Sequence, residues 1–237
     1  MLKDYIFKRK SIREYKDEKL APEILKKIEN EIGKCEPLIS GIDYKVTIAD
    51  ETAKSLFGVK APHYLFFYSE EKQGSLENIG FIGQKLNLYL CSIGLGACWV
   101  GMAKPQDNSE KLPFVIAMAF GEANESLLRD ESGFKRREIS KISNADNEIM
   151  AAVRVAPSAV NFQDWYFLQE PGIVHCYSKN MGILINKVLG HMGGVDLGIA
   201  IRHLTLMCSE YKTEVVSAYP EVKDGTYFIS IKSHDFK

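Results

Sequence analysis

Apolar and polar positions alternate between helix-like and strand-like patterns along the chain. After Pro22 the isoleucines and a leucine recur at helical spacing, which predicts a helix that starts at this proline. Residues 43–50, 61–70 and 113–121 are rich in aromatic and β-branched residues and predict strands. A further helix is expected from about Ser75 to about Ile93, before a glycine-rich turn.

The same order of elements begins again near residue 147. A helix ("NEIMAAVRVA"), two strands, a glycine-started helix ("HMGGVDLGIAIRHL") and a final strand follow each other. At an offset of 111 residues "PFVIAMAF" lies over "DGTYFISI". Since any two amphipathic helices can be slid into phase, both a tandem duplication and a chance resemblance are compatible with this pattern.

The polar, charge-rich stretch 121–148 is the natural connector between the two halves. It has too few glycines and prolines for a flexible tether. We therefore expect an α+β fold made of two similar halves, residues 1–145 and 146–237.

The composition and charge of the chain exclude some kinds of binding partner and indicate a cellular compartment. The 237 residues are 46% hydrophobic, and 30 Lys and Arg nearly cancel 31 Asp and Glu, so nucleic acid or membrane partners bound through bulk charge are not expected. The N-terminus lacks the apolar run of a signal peptide, and the five cysteines form no C-x-x-C pair; both features predict a cytoplasmic protein with reduced thiols. The histidines lack metal-ligand spacing, so no metal site is predicted.

The segment "FKRKSIREY" brings together Arg9, Lys10, Arg13 and the hydroxyl of Ser11. Guanidinium groups give bidentate, charge-assisted hydrogen bonds to a phosphate, and a hydroxyl can bind a further oxygen. The candidate phosphate ligands are Arg9, Lys10, Ser11 and Arg13. A solvated basic surface is the alternative interpretation.

Three further segments, "GLGACWVGM", "FKRREIS" and "APSAVNFQDW", complete a resemblance to the nitroreductase family of flavin enzymes. The N-terminal motif is similar to the family's Arg-Arg-Ser-x-Arg-x-Phe, with Lys10 in place of the second arginine. "APSAVNFQDW" is similar to Ala-Pro-Ser-x-x-Asn-x-Gln-Pro-Trp, although Asp164 departs from the usual proline.

The resemblance implies how FMN would be bound. Trp99, Val100, Gly101 and Met102 would run past the flavin edge, with the N–H groups near Gly101 and Met102 bonding N5 and O4. In "APSAVNFQDW", the residues that would contact the isoalloxazine ring are Pro157, Ser158, Ala159 and Asn161. In "FKRREIS", Lys135 and Arg137 would contact the phosphate. Each segment also has an alternative interpretation. "GLGACWVGM" could be a glycine-capped helix end with Trp99 as a core residue, "APSAVNFQDW" an ordinary loop before a strand, and "FKRREIS" an exposed connector.

In the family the Pro-Ser-x-x-Asn loop comes from the partner subunit of a homodimer. Here roughly 145 residues separate it from the N-terminal basic motif, and each half lacks the motif that the other carries. A fused and trimmed pair of subunits explains both facts. The expectation is a single-chain pseudo-dimer with one composite FMN site that a monomer can form alone, and further oligomerisation through another surface is compatible with it.

The resemblance implies an FMN-dependent oxidoreductase. NAD(P)H would reduce FMN and leave, and a nitroaromatic, quinone or similar small acceptor would then enter the same place in a ping-pong cycle. FMN carries the chemistry, so no catalytic side chain is assigned. The alternatives are an FMN storage or sensor protein without turnover and a flavin-free interaction protein.

Overall fold

The computed structural model describes the chain except residues 51–53, 56–58, 102, 107–108, 130–132 and 181–182, together with the side chains of 54–55 and 183–191. The chain divides into two compact units. Unit one contains Met1–Ser75 and Ile82–Gly133, and unit two contains Leu76–Phe81 and Phe134–Lys237.

Unit one is built on a four-stranded antiparallel sheet with strand order β1-β3-β6-β4 and a small β2-β5 pair. Its elements are a 3-10 turn at Leu2–Tyr5, α1 (Pro22–Ile32), β1 (Tyr44–Ala49), β2 (Lys54–Ser55), β3 (His63–Ser69), most of α2 (Ser75–Ser92), β4 (Gly96–Val100), β5 (Ala103–Lys104) and β6 (Phe114–Gly121).

The core of unit one covers both faces of β3, which is buried along its whole length between β1 and β6. Tyr64 and Phe66 pack on one face in a cluster that includes Ile12 and Val100. Phe67 lies on the other face, toward α2. A strand buried on both faces is apolar throughout rather than alternating, as the sequence HYLFFYS is.

Unit two repeats this architecture. Its antiparallel sheet has strand order β7-β8-β10-β9. The elements are 3-10 turns at Ile139–Lys141 and Ala159–Asn161, α3 (Glu148–Arg154), β7 (Trp165–Glu170), β8 (Ile173–Lys179), α4 (Ile183–Met207), β9 (Lys212–Glu214) and β10 (Gly225–Lys232). The Asn147 side chain caps α3 by accepting a 3.0 Å bond from the Met150 amide.

The two units share both the order of elements along the chain and the order of strands in the sheet. In each, a helix and two strands of the four-stranded sheet precede a long helix. The last strand of each half, β6 or β10, lies inside that sheet. The bounds of β6, Phe114–Gly121, and of β10, Gly225–Lys232, are separated at both ends by the 111-residue offset found in the sequence. The predicted fold of two similar α+β halves is confirmed.

The compact units divide at Gly133/Phe134, ahead of the boundary expected at 145/146. Residues 134–145 belong to unit two because they bond to its loop and first strand; the Phe167 amide, for example, donates to the Ile142 carbonyl at 2.8 Å. The start of α2 also belongs to unit two, where glycines let its backbone approach α4. A Cβ on Gly80 would lie 1.9 Å from the Val195 carbonyl oxygen.

None of the helices in the described part of the chain is long and apolar enough to cross a membrane. The most apolar window, residues 80–102, forms the end of α2 and then β4, as its glycines and internal polar residues predicted.

Candidate functional site

The N-terminal basic motif lies along β4 in unit one. Ser11 pairs with Ala97 in parallel, and the Ile12 amide donates to the Ala97 carbonyl at 3.1 Å. Gly96 permits this approach, because a Cβ at that position would lie 2.8 Å from the Ile12 side chain. Two motifs that are far apart in the sequence are therefore joined by backbone hydrogen bonds.

Arg9 is the buried basic residue of this motif, with 2% of its surface exposed. One of its guanidinium nitrogens, Nη2, donates to Ser11 Oγ at 3.3 Å. Arg9 also pairs with Leu128, and the Arg129 amide donates to the Lys8 carbonyl at 2.8 Å. The chain after β6 thus returns to the basic motif and brings a further arginine with it.

Arg129 is the site residue that sequence reasoning missed. Burial lowers the pKa of its guanidinium, and the positive charge of Arg13 lowers it further, so the two arginines oppose each other electrostatically. In the sequence, Arg129 lies in the polar connector outside the segments that resemble the family's motifs, so nothing there distinguished it from a solvated residue.

Glu125 balances part of this positive charge. Its carboxylate accepts a 2.5 Å bond from Lys10 Nζ, and a longer one, 3.5 Å, from the Arg13 amide. The bond from Lys10 is the main reason why the pKa of Glu125 lies below its usual range. Lys10 is thus engaged with a carboxylate, and Arg9, Arg13 and Arg129 lie in the same part of unit one.

The side chains of Trp99 and Val100 are used in packing. Trp99 lies 5.4 Å from Phe67 between ring centroids, donates to Gln84 Oε1 at 3.4 Å, and covers Gly83 of α2. Val100 is buried in the cluster that contains Ile12. The side chains of both residues are thus engaged in packing, and their contact with a ligand stays a prediction. Gly101 forms the turn after β4, and Met102 lies outside the described residues.

The cysteine of β4, Cys98, is not an activated nucleophile. Burial raises the pKa of its thiol, and the positive charges of Arg13 and Arg9 only partly oppose this. A thiol that stays protonated at neutral pH adds no negative charge to the basic cluster.

In unit two the structure brings the loop 157–163 together with the second basic segment. Asn161 Nδ2 donates to the Lys135 carbonyl at 2.9 Å, and Arg136 Nη1 donates to Asn161 Oδ1 at 2.6 Å. The Arg137 amide donates to Gln163 Oε1 at 2.7 Å. The side chains of Asn161 and Gln163 thus bond to residues 135–137.

The remaining predicted residues of this region differ in exposure. Pro157 is buried, Ser158 and Ala159 are half-buried, and the Lys135 side chain is exposed. Ser158 Oγ accepts a 3.0 Å bond from the Gln163 amide within its own loop. The structure leaves the assignment of these residues to a ligand untested, so it stays a prediction.

Among the residues that the structure describes, no group of three or more His, Cys, Asp and Glu side chains is placed so that it could hold a metal ion. The absence of a metal from the reaction stays a prediction.

Comparison with known proteins places this architecture in a family. A family described as "Putative TM nitroreductase" matches residues 1–208. A "putative nitroreductase" from Thermotoga maritima is similar to 98% of this chain and 94% of its own, with a TM-score of 0.70 and 20% identity, which shows a shared fold.

Shorter structures match part of the chain. An FMN-dependent nitroreductase from Clostridium difficile R20291 covers 55% of this chain and 93% of its own, with a TM-score of 0.45 and 18% identity. A nitroreductase family protein from Clostridium difficile 630 covers 62% and 98%, with a TM-score of 0.48 and 16% identity. No curated protein matches significantly. The match over residues 1–208 shows that the chain belongs to the nitroreductase family.

Proposed function

We propose that this protein is an FMN-dependent oxidoreductase that passes reducing equivalents from NAD(P)H to a nitroaromatic, a quinone or a similar small acceptor. The observation that carries the proposal is that the basic motif is bonded both to β4, at Ala97, and to the segment that carries Arg129, which bonds to Lys8. Membership of the nitroreductase family supports it.

The arginine cluster fits the phosphate of FMN. The Arg13 and Arg129 charges oppose each other, so a dianion held by both would relieve their repulsion while it gains charge-assisted hydrogen bonds. Arg9 and the Ser11 hydroxyl lie in the same segment and would bind further phosphate oxygens. Lys10, paired with Glu125, would contribute mainly through its charge.

The β4 strand would carry the backbone groups for the ring. It starts at the residues bonded to the basic motif and ends at Val100, directly before Gly101, so one strand connects the expected phosphate and ring-edge contacts. Backbone N–H groups at a glycine can approach a flat ring closely. When bound, FMN would supply the hydride and electron chemistry, and the protein would orient the ring and stabilise negative charge on it.

Successive binding of an electron donor and an electron acceptor at one site fits this arrangement. Donor and acceptor would use the same face of the ring in turn, which gives ping-pong kinetics. No acid or base side chain is assigned to the cycle, because solvent can supply protons. The loop 157–161 and residues 135–137 are expected, from the family resemblance, to add ring and phosphate contacts.

FMN titration of the apoprotein tests the phosphate assignment. Loss of one charge-assisted bond costs about 1.5–3 kcal/mol, so Arg13→Ala and Arg129→Ala should each weaken FMN binding roughly 10- to 150-fold. Lys16→Ala is the matched control, because Lys16 is an exposed cation of the same segment that pairs with Glu122 instead. Unchanged affinity in both arginine variants would contradict the assignment.

A further inference from the structure

The loop 158–163 has a backbone conformation that its residues do not favour. Val160, Asn161 and Gln163 have φ values of 43°, 61° and 54°, in the left-handed region. Asparagine tolerates this region, but a β-branched residue such as Val160 does not. The rest of unit two must therefore supply the contacts that hold the loop in this shape.

Several contacts come from the loop itself or from its immediate neighbours. Ser158 Oγ accepts the Gln163 amide, and Gln163 Nε2 donates to the Arg154 carbonyl at 2.9 Å. One contact comes from a distant part of the chain: the Ala159 amide donates to Asp196 Oδ2 at 2.9 Å. Asp196 lies on α4 and is 7% exposed.

Burying a carboxyl group at this position is costly, which indicates that the group has a task. Burial raises the pKa of Asp196 to about 8, the bond from Ala159 lowers it, and the negative charge of Asp164 raises it again. Asp164 is also buried, with one oxygen within 3.5 Å of Arg137 Nη2. Of the other helices of unit two, α2 brings Glu77 against Gly194 and Gly198 of α4, and α3 carries Glu148 and Arg154.

We propose that Asp196 is a positioning residue for the loop 158–163. Its carboxyl group holds the Ala159 amide at the start of the left-handed stretch and so fixes the backbone path through Val160 and Asn161. The expected consequence for flavin binding rests on the function proposed above, whereas the effect on the loop does not.

Two substitutions at this position separate hydrogen bonding from charge. Asp196→Asn keeps an oxygen that accepts the Ala159 amide, whereas Asp196→Ala removes the acceptor and leaves a donor unsatisfied. Thr205→Ala is the control, because Thr205 is buried on the same helix and bonds only within it, to the Arg202 carbonyl.

Amide hydrogen exchange in the apoprotein gives the first readout. Asp196→Ala should speed the exchange of the Ala159 amide about 5- to 100-fold relative to the Thr205→Ala control. Asp196→Asn should restore protection to within about threefold of the wild type. Unchanged exchange in Asp196→Ala, or equal acceleration in both Asp196 variants, would overturn the proposal.

FMN affinity gives the second readout. A wild type that binds FMN and an Asp196→Ala variant that binds it at least about fivefold more weakly, with rescue in Asp196→Asn, would support the link to the flavin. Faster exchange with unchanged FMN affinity would overturn that link. A wild type that does not bind FMN would overturn the proposed function, and the exchange of the Ala159 amide would still decide the role of Asp196.

Discussion

The Ile12 amide donates a 3.1 Å hydrogen bond to the Ala97 carbonyl. This bond attaches the N-terminal basic motif to the strand that follows α2, within unit one. The position of the arginines relative to β4 is thus fixed by backbone bonding rather than by flexible side chains alone. The basic motif and the backbone of β4 therefore keep fixed positions relative to each other, as a ligand that contacts both would require.

Gly96→Ala should disturb this attachment. The new methyl group would lie 2.8 Å from the Ile12 side chain, an overpacking that costs typically 1–3 kcal/mol of unfolding free energy. Urea denaturation measures the loss. Gly33→Ala is the control, since its Cβ would be 3.6 Å from the nearest atom; a loss equal in both variants would contradict the explanation.

Asp196 should make stability depend on pH with a particular sign. Burial, the largest cause, raises its folded pKa from 3.8 to about 8, so the folded protein holds a proton that the unfolded chain releases. Stability from this group is therefore lost as pH rises from about 4 to about 8, by up to about 1.4 kcal/mol per pH unit, and levels off above that.

Asp196→Asn should remove this slope. Asp164 and Glu77, whose pKa values are also raised by burial, stay in both proteins, so their own slopes are common to both profiles apart from the coupling of Asp164 to Asp196. Urea unfolding at pH 5, 6, 7 and 8 measures the difference. Parallel pH profiles for the variant and the wild type would show that Asp196 titrates normally.

Val160→Gly should stabilise the protein, although it removes a side chain. Val160 is 72% exposed and has a φ of 43°, so glycine relieves strain and loses little packing. We expect a gain of up to about 1 kcal/mol, after the entropy cost of glycine. Val215 is 74% exposed without a positive φ, and Val215→Gly should instead destabilise. Destabilisation of both would contradict the strain.

The single-chain site predicted from the family resemblance can be tested by subunit mixing. If the basic motif and the Pro-Ser-x-x-Asn loop of one chain serve the same FMN, Arg13→Ala and Asn161→Ala chains each carry a defect that the other cannot correct. FMN titration of the mixture, under conditions that permit exchange, should show only weak binding. Recovered tight binding would mean that two chains share each site.

Much of the fold was predictable because its signals are local or repeated. Pro22 starts α1 as expected, and the 111-residue offset found β6 and β10 as equivalent strands. The boundary between compact units was not predictable, because residues 134–145 join unit two through hydrogen bonds to a later loop and strand.

In the candidate site, the sequence pointed to the segments that carry motifs and not to isolated residues, and ligand binding by either stays a prediction. The pairing of Ser11 with Ala97 brings two recognised motifs together. Arg129 gave no sequence signal, because only the backbone bonds after β6 return it to the basic motif. The burial of Asp196 was likewise hidden: a single aspartate in a helix is usually solvated, and here it receives an amide from the loop.

The central claim, that this chain is a flavin oxidoreductase, is tested most directly by an absorbance spectrum of FMN-reconstituted protein before and after anaerobic addition of NADPH or NADH. We predict a bound oxidised flavin whose visible absorbance is bleached by at least one of the two donors and restored by a quinone or nitroaromatic acceptor. A protein that retains no FMN, or one whose bound FMN neither donor reduces, would contradict the claim.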